Sequence, residues 1–208
     1  LPAKWLHKGT KNHINPAALF RLPIFLDHSL QLELLLRTLR LNCLTDAYAD
    51  LWRDVHDDGF ASDVWVGGRE RPNRPALGDV GPDWSACTPL RIAEDRRQAL
   101  VELDALVALM LGVTADQLCT VYRTQFAVLY GYDHNTYLYD ANGRLVPNSV
   151  QVPWRKKGDA TSAEERTATN QAGNTYTYEL PFTFLDREAD MRAAYAEFES
   201  RLEDPTDG

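Results

Sequence analysis

Lysine and arginine side chains can bind the phosphates of a nucleic acid, and this chain concentrates them in two places. Arg155, Lys156 and Lys157 form a run of positive charge directly after Trp154, whose ring could lie against a sugar or a base edge. Residues 1–26 carry basic side chains and no acidic residue. The alternative interpretation is that these charged side chains are simply exposed to water and bind no partner. The candidate phosphate contacts are Lys4, Lys8, Lys11, Arg123, Arg155, Lys156 and Lys157.

Catalytic motifs are absent from the sequence. A site that methylates a flipped-out adenine needs (D/N/S)-P-P-(Y/F/W), and residues 15–18 (Asn-Pro-Ala-Ala) lack the second proline and the aromatic ring. Residues 66–68 (Val-Gly-Gly) are not followed by a helix pattern, as a cofactor loop would require. Pro82-Asp83 has no (D/E)-x-K partner for a nuclease. The five histidines also lack metal-ligand spacing. We therefore predict no catalytic, cofactor-binding or metal-ligating residue.

Composition indicates a globular chain of 208 residues with 44% apolar residues and a net charge of −8. Such a charge argues against nucleic-acid binding by the whole surface. The three cysteines, Cys43, Cys87 and Cys119, show no disulfide spacing, and their apolar neighbours predict buried free thiols in a reducing compartment. Neither a membrane span nor a signal peptide is evident, so we predict a cytoplasmic location and no membrane partner.

Four segments are expected along the chain. Residues 1–26 are an extended basic entry segment, and residues 27–58 are a helical pair. Residues 59–89 are a loop in which nine of 31 residues are Gly or Pro. Its arginines Arg69, Arg71 and Arg74 could follow a DNA backbone, although solvation is the favoured interpretation. Residues 90–208 supply a helix pair, a β-hairpin and a C-terminal helix, and residues 27–208 are expected to form one domain.

The helix pair is predicted over residues 90–111 and from residue 115 to about residue 132. Gly112 is expected just after the first helix, and Thr114 with Gln117 fits a capping box for the second. A helix-turn-helix that enters a DNA groove is possible, but packing is favoured because the outward face is poor in arginine. Arg123 could hold a phosphate or pair with Glu102 or Asp104. The predicted apolar stripes are Leu100, Leu103, Val107, Met110 and Leu111, then Leu118, Val121, Tyr122, Gln125, Val128, Leu129 and Tyr132.

Strand patterns follow the helix pair. Residues 136–139 and 144–146 are predicted to form a hairpin around residues 140–143 (Asp-Ala-Asn-Gly), with Gly143 at positive φ. Residues 150–154 and 175–179 are expected to pair as strands, and residues 159–165 to form a short helix. A last helix is predicted over Arg187–Glu203. The fold class is therefore α+β, mainly α-helical, with a small antiparallel sheet in the C-terminal half.

Several of these runs resemble the C-terminal end of bacterial class I S-adenosylmethionine-dependent adenine-N6 DNA methyltransferases of restriction–modification and phage-defence systems. The similar runs lie between residues 40 and 182, a span of about two thirds of the chain. None belongs to the catalytic motif of those enzymes. They are residues 102–108 (ELDALVA), 111–115 (LGVTA), 122–126 (YRTQF), 140–144 (DANGR), 40–52 (RLNCLTDAYADLW) and 174–182 (NTYTYELPF).

This resemblance implies a non-catalytic C-terminal module that supports target recognition and helps to grip double-stranded DNA. It also implies that the chain is part of a longer protein, and that S-adenosylmethionine binds elsewhere in that parent enzyme. The acidic composition favours a different function, namely a protein–protein docking module that joins such an enzyme to partners in a defence system. The sequence leaves both hypotheses open.

Overall fold

The computed structural model describes residues 28–170 and 172–203. The predicted entry segment, residues 1–26, lies outside the described residues. The predicted fold class is confirmed, because the described chain is mainly helical and carries two small antiparallel sheets in its C-terminal half. No helix in the described ranges is long and apolar enough to cross a membrane.

Seven α-helices and four short strands are present in the described residues. The helices are α1 (Gln31–Asn42), α2 (Ala49–Val55), α3 (Ala93–Met110), α4 (Ala115–Gln125), α5 (Ala127–Asn135), α6 (Asn148–Lys157) and α7 (Arg187–Glu203). The strands are β1 (Leu138–Tyr139), β2 (Thr167–Thr169), β3 (Thr175–Thr177) and β4 (Thr183–Phe184). Short 3-10 turns occupy Asp46–Tyr48, Asp58–Ser62 and Gly158–Ala160.

Helices α3 and α7 pack against each other and form the centre of the fold. The first core cluster consists of Leu30, Val66, Ala105, Leu106, Ala194 and Phe198. The predicted joint between α3 and α4 is confirmed. Gly112 has φ +66°, and the side chains of Thr114 and Gln117 cap each other's backbone N–H.

The buried face of α3 is not the predicted apolar stripe. Leu100 and Leu111 are each 48% exposed, whereas Glu102 is fully buried. Gln98, Val101, Glu102, Ala105 and Leu106 recur at helical spacing and face the interior. A prediction from apolar residues alone therefore identified the wrong face of α3. Two of the inward residues of this helix, Gln98 and Glu102, are polar and have hydrogen-bonding partners in other elements.

The second predicted helix is broken at Phe126, whose φ of −116° and ψ of 39° are not helical. In a continuous helix, residues 122 and 133 would lie about 16 Å apart along the axis. The break turns α5 back, so that the Tyr122 hydroxyl donates to Asp133 at 2.8 Å. Consequently Val128 and Tyr132, which were predicted to be apolar core, are 73% and 46% exposed.

The predicted turn of residues 140–143 exists, and Gly143 has φ +78°. Its second arm, however, is only a single bridge from Tyr139 to Leu145, since β1 pairs with β4 instead. Strand β3 lies within the predicted strand but pairs with β2. No α-helix forms over residues 159–165, which hold the end of a 3-10 turn and further turns.

Residues 150–154 are helical rather than extended, because they lie in α6. In a strand Val150, Val152 and Trp154 would share one face. In the helix, Val150 and Trp154 are four residues apart and pack into one apolar cluster, while Val152 is exposed. That cluster also contains Leu138, Val146, Tyr178 and Phe182.

Candidate functional site

Arg37 is the centre of a buried polar cluster. Its side chain is fully buried on α1. Nε donates to Glu102 Oε2 at 2.6 Å, and Nη1 donates to Asp63 Oδ2 at 2.5 Å. Further bonds reach the backbone oxygens of Glu33 and Val64. One arginine thus joins α1, α3 and the long loop after α2.

Glu102 receives three internal hydrogen bonds and is fully buried, so its carboxylate is not accessible to an outside ligand. Besides Arg37, its donors are the backbone N–H of Val66 and the Gln98 side-chain amide, both at 3.0 Å. Burial raises the pKa of the Glu102 carboxyl above its ordinary value, while the Arg37 guanidinium opposes that shift. The geometry is that of a structural ion pair.

The loop arginines do not lie in solvent and do not face outward, so the favoured solvated interpretation was wrong. The side chain of Arg71 is 4% exposed, and that of Arg74 is 10% exposed. Both contact Asp95, and Arg69 donates to Glu94 Oε2 at 2.6 Å. Arg74 also stacks on the Trp65 ring. Two carboxylates at the start of α3, Glu94 and Asp95, therefore bind the three loop arginines and fix their positions.

Arg40 holds the rest of the same loop through backbone oxygens. It donates to Leu77 O at 2.5 Å and Thr88 O at 2.9 Å, and it also reaches Ala76 and Cys87. Burial lowers the pKa of Arg40 from its ordinary value. The Gly/Pro-rich loop is therefore packed and fastened by side chains of α1. Cys87 within it is exposed, which corrects the prediction of a buried thiol.

Arg123 does not meet Glu102 or Asp104 but pairs with Glu188 of α7. Next to it, Asp116 accepts a bond of 2.6 Å from Arg192 of the same helix. The polar side of α4, which a helix-turn-helix would offer to a DNA groove, is thus tied to α7. This arrangement supports the favoured packing interpretation of the helix pair.

The other predicted phosphate contacts differ in their availability. Arg155 donates to Asn135 O at 2.6 Å and so binds the end of α5. Lys157 pairs with Glu165, and this hydrogen bond lowers the pKa of the Glu165 carboxyl. Lys156 is exposed and has no polar partner in the described residues. Lys4, Lys8 and Lys11 lie outside the described residues.

A second buried cluster joins the helix pair to α7 and was missed by the sequence analysis. Asp133 accepts from the Tyr122 hydroxyl and, at 2.6 Å, from Arg187 Nε. Nearby, burial raises the pKa of Tyr139 to about 12. Tyr122 and Tyr139 were assigned to a predicted helix and a predicted strand, but the pairing of Asp133 with Arg187 was not expected. No local signal identifies Asp133 and Arg187 as partners, because 54 residues separate them.

Asp140 organises the turn that precedes Arg144. It is fully buried, and its Oδ1 accepts from the backbone N–H groups of Asn142 and Arg144 at 2.9 and 2.8 Å. Its Oδ2 accepts from the backbone N–H of Glu179. The side chain therefore builds the turn and links it to the segment before β4.

Over the described residues, no group of three or more His, Cys, Asp and Glu side chains could hold a metal ion. The chain matches no family model, no curated protein and no solved structure. Support for a function therefore comes from the residues and their contacts.

Proposed function

We propose that this chain is a non-catalytic module of an adenine-specific DNA methyltransferase of restriction–modification or phage-defence systems. It acts as a rigid support for the target-recognition region and adds sequence-independent contacts to DNA. The parent enzyme would supply the methyl-transfer site and bind S-adenosylmethionine.

One observation carries this proposal: key polar side chains in the runs that resemble these enzymes point into the protein. Glu102 binds Arg37, Tyr122 binds Asp133, and Asp140 binds three backbone N–H groups. A side chain whose hydrogen-bonding capacity is used internally cannot read a base edge. The runs that suggest the family are thus those that make the frame rigid, which suits a supporting role.

DNA contact in this proposal runs through Lys156 and the lysines of residues 1–26. Lys156 lies in the last turn of α6, beside two other cations. Its ammonium can neutralise a phosphate without breaking an internal ion pair. Phosphate contacts position a protein on DNA without reading sequence. Binding should therefore be weak, insensitive to sequence and strongly dependent on salt.

Charge reversal at Lys156 tests this contact. We expect Lys156→Glu to weaken binding to a duplex of random sequence several-fold. The slope of log affinity against log salt should also fall by about 1, since one phosphate contact is lost. Arg192→Glu is the matched control, because Arg192 is an exposed cation on α7 that pairs with the exposed Asp116. Equal losses in both variants would mean that only net charge matters, and the α6 contact would be rejected.

Calorimetric titration tests whether S-adenosylmethionine binds outside this chain, in the rest of the parent enzyme. The chain alone should show no heat of binding with S-adenosylmethionine at micromolar concentration. Saturable binding would place the cofactor site in this chain and overturn the non-catalytic assignment.

A protein–protein docking module is the second candidate, favoured by the exposed apolar side chains where α4 meets α5. Phe126, Val128 and Tyr132 lie there at 44%, 73% and 46% exposure. Apolar side chains grouped on a surface commonly mark an interaction site. Failure of the wild-type chain to bind any duplex at low salt would favour this candidate over the first.

A further inference from the structure

The surface around α2 carries an unusual concentration of negative charge. Within residues 46–58 the only cation is Arg53, which pairs with Asp50 and Asp83. We call this surface the acidic face, and it comprises Asp46, Asp50, Asp54, Asp57 and Asp58.

Most of this charge is not neutralised by the described residues. Within the described residues, no cation pairs with Asp46, Asp54 or Asp58. The carboxylate of Asp57 accepts a hydrogen bond only from the backbone N–H of Gly59. The cations of the body are committed elsewhere, as Arg37, Arg71 and Arg187 show. Like charges this close repel one another unless cations approach them. The acidic face therefore favours a basic partner.

The acidic face also exposes apolar side chains. Trp52 is fully buried, and the opposite side of α2 carries Asp50, Leu51 and Asp54. Leu51 is 48% exposed, and Leu44 and Tyr48 beside it are exposed as well. A matching partner must therefore combine positive charge with apolar residues.

Residues 1–26 have this composition. They contain Lys4, Lys8, Lys11 and Arg21 and no acidic residue, together with Trp5, Leu6 and Phe20. Among the described cations, Lys156 has no polar partner, and it lies on α6.

The segment joins the described chain close to the acidic face. The first described residue is His28, and α1 begins at Gln31. A Cβ placed on Gly59 would lie 2.9 Å from Leu32 Cδ1 and 3.0 Å from Asp57 Oδ1, so the start of α1 and the end of the acidic face adjoin. Twenty-six extended residues can span roughly 85 Å, so reach does not limit contact.

We propose that the acidic face binds the basic segment of residues 1–26 of the same chain. The lysines neutralise the aspartates, and apolar residues such as Trp5 and Leu6 cover Tyr48 and Leu51. The interaction itself does not depend on the proposed function. If that function is correct, DNA phosphates and the acidic face compete for the same lysines, and the acidic face restrains DNA binding.

Zero-length cross-linking of amines to carboxylates, read by mass spectrometry on the full chain, tests this proposal. At low salt we expect intramolecular links from Lys4, Lys8 or Lys11 to the acidic face. Lys156 is the internal control and should not link there. Links spread over all exposed carboxylates would overturn the proposal, and links found only in a covalent dimer would assign the face to a second copy.

A pair of charge-reversal variants makes the test specific. Asp50→Lys with Asp54→Lys should reduce the links to the remaining carboxylates, Asp46, Asp57 and Asp58, at least five-fold. The matched control, Glu197→Lys with Glu199→Lys on the exposed side of α7, should leave them unchanged. All four positions are exposed, so circular dichroism should show an unchanged fold. Equal losses in the two variants would contradict a site on α2.

Adding duplex DNA separates this proposal from the proposed function. If both are correct, duplex should suppress the lysine links and Asp50→Lys with Asp54→Lys should tighten DNA binding. Links that persist unchanged with excess duplex would retain the intramolecular contact and reject DNA as its competitor.

Discussion

Two regions of this protein differ in how much buried charge accompanies their apolar cores. In the region of α1, α3 and the loop between α2 and α3, buried arginines bind carboxylates and backbone oxygens of distant elements. In the region of α6 and the strands, an apolar cluster around Leu138 and Val150 fills the interior. The basic side chains of this second region, Arg155 to Lys157, lie at its surface.

The comparison shows that a run of basic residues in the sequence does not indicate whether its side chains will be buried or exposed. Residues 69–74 and residues 155–157 each carry three positive charges. The first run is drawn inward because Glu94 and Asp95 stand at the start of α3 to receive it. The second has only Glu165 as an ionic partner among the described residues, at the edge of its helix. A buried charge needs a partner, and that partner decides where the arginine goes.

The largest effect is expected from removing the central cation of the charged region. Arg37→Met leaves Glu102 buried without a counter-ion and leaves Asp63 with only Arg201, at 3.5 Å, which should lower the free energy of unfolding by about 3–5 kcal/mol. Urea denaturation measures the change. Arg53→Gln, which removes an exposed pair on α2, is the control and should change stability by less than about 1 kcal/mol. Similar losses of stability in both variants would show that the buried ion pairs of Arg37 contribute little to the stability of this region.

The matching change in the apolar region is Leu138→Ala. Leu138 is fully buried at the centre of its cluster, so truncation leaves a cavity and should cost about 3 kcal/mol. The same denaturation assay applies, and Leu145→Ala, at a 40% exposed neighbour, is the control. If the two variants lost equal stability, the cluster would not be the core of this region.

The two regions meet at Gly143. Besides its positive φ, a Cβ at Gly143 would lie 2.8 Å from Arg71 Cζ and 2.9 Å from Ile92 Cγ2. Gly112 has a similar φ, but a Cβ there meets nothing within 4 Å among the described residues. Gly112→Ala should therefore cost about 1 kcal/mol through backbone strain alone, and Gly143→Ala about 2–3 kcal/mol. If thermal or urea unfolding showed equal losses of stability in the two variants, the Arg71 side chain would not pack against the turn at Gly143.

The smallest effect concerns thiol reactivity, which should change without any change in stability. Cys87 is exposed, whereas burial raises the pKa values of the Cys43 and Cys119 thiols. In a thiol-exchange assay at pH 8, one thiol of the native chain should react quickly and the other two only after unfolding. Cys87→Ser should remove the fast phase. Fast reaction of a second or third thiol would show that the fold opens readily at Cys43 or Cys119.

The features predicted correctly have local causes. Helix α7 begins and ends at the predicted residues, because its inward residues Met191, Ala194 and Phe198 recur at helical spacing. The capping box at Thr114 and the positive φ of Gly143 follow from residue types within a few positions. The fold class followed from the same patterns.

The features predicted wrongly depend on distant partners. The inward face of α3 contains Glu102 because Arg37, 65 residues earlier, reaches it. Helix α6 replaced a predicted strand because Val150 and Trp154 share the interior with Phe182. The buried arginines of the loop could not be recognised, since charge and hydropathy patterns describe each residue without its partner.

Backbone propensity and capping act within a few residues, so the mainly helical class, the joint between α3 and α4, the last helix and the turn at Asp140 could be predicted from the sequence. The folded arrangement was needed to identify which cations are buried, which side of α3 faces inward and that Lys156 on α6 has no polar partner among the described residues. The physical reason is that burying a charge or a polar group is favourable only with a partner in place, and here these partners lie tens of residues away.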